Sequence, residues 1–264
     1  INSLVRVSAR VIWEDCNQGS RNVYFETTNN FADGLVCNPN AFIVGAILPA
    51  MFFGEKRLKV DFGICPSLRE GLITNMKWYA FWYGSRYKPV KIESPLSTDS
   101  FTSKIKKAAG LFLSGGVDSL YSLRMNRLNF PLGHAASFRD CFIVHGFDIY
   151  HDETADKKLE TFDRAVCSMR VVAEDAKVNL IPVYTNIRHL YSNLYFWMHW
   201  YYSSALSSIA HAFAGRLNRI TLASDGIPDD ISPWVSNQAI DSNYSSFDLQ
   251  VYHDNLRDRF EKIK

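Results

Sequence analysis

The residues best placed to do chemistry are Ser114-Gly115-Gly116-Val117-Asp118-Ser119. Two adjacent glycines let a backbone turn sharply and come close to a ligand, because no Cβ stands in the way. An apolar run at residues 111–113 precedes them, and Leu120, Leu123 and Leu128 follow at roughly helical spacing. The expected setting is therefore strand, turn, helix. Amides in such a turn and at the helix N-terminus point at one spot, which suits an anion and above all phosphate. The Ser114 and Ser119 hydroxyls can donate to phosphate oxygens, while Asp118 can cap the helix or hold a cation. The Gly-Lys-Ser/Thr ending of the common P-loop is absent. The plain alternative is a glycine-rich turn capping an ordinary helix.

These six residues resemble the SGGxDS signature of the PP-loop ATP pyrophosphatases (N-type ATPases, adenine nucleotide alpha-hydrolase-like). That superfamily includes asparagine, GMP, NAD and argininosuccinate synthetases, cyano-deazaguanine (queuosine-precursor) synthases and several tRNA thiolases. The resemblance implies ATP and Mg²⁺ as ligands and cleavage between the α- and β-phosphates. A substrate carboxylate or amide oxygen would be adenylated, pyrophosphate would leave, and an amine, ammonia or similar nucleophile would take the activated group. It further implies that Ser114, Gly115, Gly116, Val117, Asp118 and Ser119 cradle the phosphates. The end of the next strand would flank the adenosine, where His145, Gly146, Phe147 and Asp148 stand. Gly146 and Phe147 suit contacts through backbone and one apolar side chain, and Asp148 could reach a ribose hydroxyl.

The elements that must position these groups recur as strand and helix. Apolar runs at residues 141–145, 180–184 and 219–223 alternate with helical spacing over 157–177 and 202–213. Such a pattern predicts right-handed βαβ units, a Rossmann-like parallel sheet with helices on both faces, and ligands beyond the carboxyl ends of the strands. The loops after the strands hold the remaining candidates. His145, His151 and Asp152 form a rival metal set, or His145 simply bonds backbone at a polar strand end. Arg188 either neutralises a triphosphate or substrate carboxylate, as a catalytic group, or is a solvated loop arginine. Ser224 stands at the fourth strand's end in a loop with Asp225, Asp229 and Asp230. Carboxylates beside a phosphate cradle suggest Mg²⁺, with Asp225 the best placed and Asp118 its partner; Asp229 and Asp230 also suit a turn after Pro228.

Residues 1–95 have a different texture. Alternation at 4–13, 22–27 and 56–62 reads as strands, and 41–53 and 66–82 as helices, the second with Leu68, Leu72, Met76 and Tyr79 on one side. The expected organisation is a small mixed α/β domain over 1–95, a polar linker at 94–107 and an ATP-binding α/β domain over 96–264. The segment from Arg219 through Pro233-Trp234 to Tyr252-His253-Asp254, with Leu48-Pro49-Ala50-Met51, resembles a branch of the superfamily related to asparagine synthase and the queuosine-precursor synthase. No catalytic role is carried over from that second resemblance.

Partners are bounded by composition. A net charge of +2 from 29 basic and 27 acidic residues demands no polyanion, so nucleic acid is not expected, although tRNA stays open through the thiolases. The expected partner is a small-molecule acid or amide, and the protein could be a homodimer or an assembly subunit. Five dispersed cysteines suit a reducing, cytoplasmic setting and supply neither a four-cysteine zinc site nor a thiolase's cysteine pair. Residues 41–53 are too short for a membrane span, and 190–213 carry two histidines and serines, so no membrane is expected. The first residue is isoleucine and the last lies in a polar, helix-like run, as expected for a trimmed piece. The leading expectation is an AMP- and pyrophosphate-forming ligase or amidotransferase-like synthase. A tRNA-modifying thiolase using Cys141 or Cys167, and a nucleotide-sensing subunit without turnover, are the alternatives.

Overall fold

A computed structural model describes residues 3–98, 105–147, 155–224, 232, 236–254 and 257–264. The chain opens on an antiparallel hairpin of β1 (Leu4–Val11) and β2 (Arg21–Thr28). Helix α1 (Pro39–Phe53) begins where the Asn38 side chain accepts from the Asn40 amide at 3.0 Å and Pro39 fills the first turn. It ends at Gly54, whose φ of 79° is the left-handed conformation that a helix stop favours. Strands β3 (Arg57–Lys59) and β4 (Lys91–Glu93) flank α2 (Pro66–Tyr83) and pair in parallel as a separate two-stranded sheet.

The second part winds as β5 (Ala108–Phe112), α3 (Val117–Asn129), β6 (Phe138–His145), α4 (Ala155–Asp175) and β7 (Asn179–Thr185). A helical stretch follows: α5 (Leu194–Phe196), a π-helical turn (Trp197–Tyr201) and α6 (Tyr202–Ala212). Then come β8 (Leu217–Ala223), β9 (Gln250–Asp254) and α7 (Arg259–Ile263). Seven strands form one sheet in the order β1-β2-β7-β6-β5-β8-β9. From β7 to β9 the strands are parallel, and β2 adds antiparallel to β7. The chain steps from β5 through β6 to β7 on one side, then returns to the other side of β5 with β8. The reversal lies between β5 and β8, the place where open α/β sheets receive ligands. The α/β class and the mostly parallel, Rossmann-like sheet are as expected.

The N-terminal stretch, expected as a small domain of its own, shares sheet and core with the rest. Phe25 pairs with Thr185, and α1 lies against the later helical stretch, where the Ser204 hydroxyl donates to the Val44 carbonyl at 2.7 Å and Tyr201 to that of Gly45 at 2.6 Å. The physical reason is α1 itself. Its buried residues run almost without a break from Asn40 to Met51, and a helix apolar all round needs cover on every side. Alternation along the strands separates two cores. Leu111, Leu113 and Cys141 join Leu123 of α3 on one face; Phe112, Phe142 and Ile220 join Ile43, Trp197 and Phe213 on the other. Among the described residues no helix is long and apolar enough to cross a membrane.

Candidate functional site

The loop after β5 is built as the sequence suggests. Leu113 still bonds the Phe142 carbonyl at 2.8 Å, and the backbone then turns through Ser114 into Gly115 at φ 82°. Only glycine adopts that left-handed conformation without strain. Gly116, at φ −74° and ψ 159°, precedes the first residue of α3 and has ordinary extended backbone. A Cβ added there would meet nothing nearer than the Ser114 hydroxyl at 3.4 Å. The protein's own packing therefore asks for glycine at 115 but not at 116. Ser114, Gly116 and Val117 are exposed, so neighbouring side chains do not plug the bend. The Ser114 and Ser119 hydroxyls are brought within 3.3 Å of each other, and Ser119 donates to the Gly116 carbonyl at 3.0 Å.

Asp118 stands in the first turn of α3, where the helix dipole favours a carboxylate. Its carboxylate is held by two cations from α7. Arg259 donates to Oδ2 through Nη2 at 2.9 Å and Nε at 3.2 Å, and the Lys262 ammonium reaches Oδ1 at 2.7 Å. The Lys262 side chain is fully buried and also donates to the Ser224 carbonyl. Ser224 is buried at the end of β8, and its amide donates to the Asp254 carbonyl at 3.2 Å. One buried ammonium thus ties the first turn of α3 to the end of β8 across the reversal. Mg²⁺ at Asp118 would require Arg259 and Lys262 to give way. Asp225, its expected partner, lies outside the described residues, as do Asp229 and Asp230. Among the described residues no three His, Cys, Asp or Glu side chains converge on a metal.

The loop after β6 is pinned rather than loose. Gly146 has φ 93°, and a Cβ there would stand 2.6 Å from the Thr185 carbonyl oxygen. Phe147 is buried edge-on against Trp197 with ring centroids 4.7 Å apart. His145 packs its ring against Phe162 and Tyr184. Asp148, His151 and Asp152 lie outside the described residues. Arg188, in the 3-10 turn Ile187–Leu190 after β7, is buried, not solvated. Its guanidinium donates to the Phe147 carbonyl and stacks 4.5 Å from the Trp197 ring centroid. It holds the β6 loop in place from the neighbouring strand.

The structure therefore gathers residues 114–119, 145–147 and 224 along the carboxyl edge of the sheet. Sequence reasoning missed Arg259 and Lys262. Their signal was two cations three residues apart in the polar C-terminal run, a spacing that puts both on one helix face. Strand β9 was missed as well, although Leu249 and Val251 alternate with polar neighbours. Compared with known proteins, the chain matches no family model, no curated protein and no solved structure.

Proposed function

We propose that the chain is an ATP-dependent ligase or synthase of the PP-loop type, which adenylates a carboxylate or amide oxygen and releases pyrophosphate. The observation that carries this reading is Gly116. It is an exposed glycine at the point where the strand order reverses, and its backbone conformation and surroundings would accept a side chain. A phosphate lying against the turn would use the vacant Cβ position, since only there does the backbone come close enough.

In this reading the diphosphate of ATP sits on the amides at the start of α3, with the Ser114 and Ser119 hydroxyls as further donors. Arg259 and Lys262 supply positive charge where negative charge accumulates on the departing pyrophosphate. A substrate oxygen attacks the α-phosphorus in line, the bond to the β-phosphate oxygen breaks, and the adenylate passes to a nucleophile. Catalysis of this kind is mostly positioning and charge stabilisation. Mg²⁺ bound to ATP would supply further charge neutralisation, and Asp225 remains its proposed ligand.

The thiolase alternative falls to Cys167, which is exposed on α4. Cys141 is sealed in the core, and burial pushes its thiol up to about 12, away from the thiolate that sulfur transfer requires. The test is a product assay with ATP, Mg²⁺ and a panel of carboxylic acids and amides. AMP with pyrophosphate is expected; ADP with phosphate overturns the reading, and ATP binding without turnover under any of them points to the sensing subunit.

A further inference from the structure

We propose that a cavity at the amino edge of the main sheet is an acyl-acceptor site, in which Cys65 takes the acyl group of a small thioester and Asn40 stabilises the oxyanion formed on the way. The proposal goes beyond the adenylation reading and does not depend on it.

The cavity measures about 320 Å³, a volume suited to a small molecule. Its wall draws on three stretches of chain: Cys37 and Asn40 at the start of α1, Phe62 and Cys65 ahead of α2, and Phe247 and Asp248 leading into β9. The parallel strands enter the sheet on this side, so the cavity lies on the edge opposite residues 114–119. Phe62 and Phe247 are 70% and 80% exposed and offer flat apolar faces to an entering ligand.

Two wall residues carry the chemistry. Cys65 directly precedes the first residue of the 18-residue helix α2, where the helix dipole favours a thiolate. Its sulfur accepts from the Phe247 amide at 3.2 Å and lies 3.1 Å from the Ser67 hydroxyl. Burial alone would raise the thiol's pKa, but the Ser67 hydroxyl and the amides of Leu68, Phe247 and Ser67 outweigh it and hold the thiol below its ordinary value. Asn40 is the independent observation. It is only 8% exposed, and its Oδ1 accepts from the Cys65 amide at 3.0 Å, which fixes that end of the side chain as the oxygen. Nδ2, at the other end, makes no hydrogen bond to any described residue and is not sealed from solvent. Because Asn40 lines the cavity, that open donor belongs to the space beside Cys65. Holding the Cys65 amide needs only an acceptor, so the spare donor is unexplained by packing.

What the wall lacks narrows the substrate class. No imidazole stands among its described residues, and its carboxylate, Asp248, lies 3.8 Å from the Lys107 ammonium. A reaction here must start from a thiolate already formed and release a group that needs no proton. A thioester meets both conditions. The Cys65 sulfur bonds to the carbonyl carbon, and the oxygen takes up the negative charge while accepting from Asn40 Nδ2. The carbon–sulfur bond of the donor then breaks, its thiolate leaves with the electron pair, and the acyl group stays on Cys65.

The test treats the native full chain with S-phenyl thioacetate and locates the acetyl groups by peptide mass spectrometry. Cys37 and Cys167 are exposed and serve as internal standards. Buried Cys65 should nevertheless be acetylated several-fold faster than Cys167; a slower or absent adduct at Cys65 overturns the site. Asn40→Asp keeps the acceptor for the Cys65 amide and removes the donor. Its carboxylate also makes the thiolate harder to form, so acetylation is compared with alkylation of the same cysteine by iodoacetamide, which forms no oxyanion. The ratio of the two rates at Cys65 should fall about 100-fold in Asn40→Asp. An unchanged ratio overturns the role of Asn40, and if the variant does not fold, the wild-type comparison of Cys65 with Cys167 still decides the site. Neither result touches the adenylation reading, which is tested separately by its own products.

Discussion

Gly115 and Gly116 stand side by side but need to be glycine for different reasons, which makes their alanine variants a paired test of the phosphate cradle. At position 116 alanine removes a tolerable N-cap, costing about 0.5–1 kcal/mol. It also restricts the unfolded chain, which returns about 0.4–1 kcal/mol at a compatible φ and ψ. The nearest atom to the new methyl, at 3.4 Å, is in ordinary contact. Gly116→Ala should therefore unfold within a few degrees of wild type. At position 115, by contrast, φ of 82° costs an alanine about 1–2 kcal/mol in left-handed strain. The 3.1 Å approach to Met169 adds less, because a thioether side chain can move aside.

Ligand binding should separate the two effects. A methyl inserted between the turn and a seated phosphate resembles overpacking, at about 1–3 kcal/mol, or a roughly 5- to 150-fold weaker Kd. Titration calorimetry with a non-hydrolysable ATP analogue measures affinity, and thermal unfolding of the same samples measures stability. The expected outcome for Gly116→Ala is near-native stability with affinity lost. Wild-type affinity in Gly116→Ala would refute the cradle.

Two further outcomes follow from buried charge. Asp118→Ala strands the Lys262 ammonium, whose side chain is fully buried; breaking such a pair costs about 3–5 kcal/mol, less if α7 undocks. Hydrogen exchange in α7 should accelerate, and adding Lys262→Met should recover much of the loss; an Asp118→Ala variant with unchanged exchange contradicts this. His211 is fully buried with Nε2 on the Tyr244 carbonyl, and burial lowers its pKa from 6.5 to about 4. Below pH 6.5 the unfolded chain takes up a proton that the folded chain refuses, so stability falls as pH drops from 6.5 towards 4 and this contribution is flat above 6.5. The total is about 3 kcal/mol, read as the difference between wild type and His211→Gln in urea unfolding at pH 7.5 and 4.5. Equal losses in both proteins would contradict it.

What the sequence shows about this molecule depends on how far apart the interacting residues lie. The turn at 114–119 is legible because its causes are local: an apolar run, two glycines and a helical spacing all fall within one short stretch. Even there the sequence treats the two glycines alike, and only the backbone conformation tells strain at 115 from open space at 116. The hairpin's place in the main sheet is not local. Thr185 donates to the Tyr24 carbonyl across 161 residues, and no periodicity in residues 4–28 says which edge they will join. The sequence offers Arg188 either as a group neutralising a triphosphate or carboxylate or as a solvated loop arginine; neither reading foresees the buried place that Trp197 and the Phe147 carbonyl provide, because arginine is normally solvated.

The charge of the candidate site follows the same rule. Its glycine turn is main chain, set by short-range geometry, and its cations come from α7, Lys262 lying 144 residues beyond Asp118. A glycine-rich turn alone would fit any small anion. With Lys262 bridging Asp118 and the Ser224 carbonyl, charge from α7 and the glycine turn meet at the reversal of the sheet. That coincidence stands beside Gly116 in support of the adenylating enzyme proposed above.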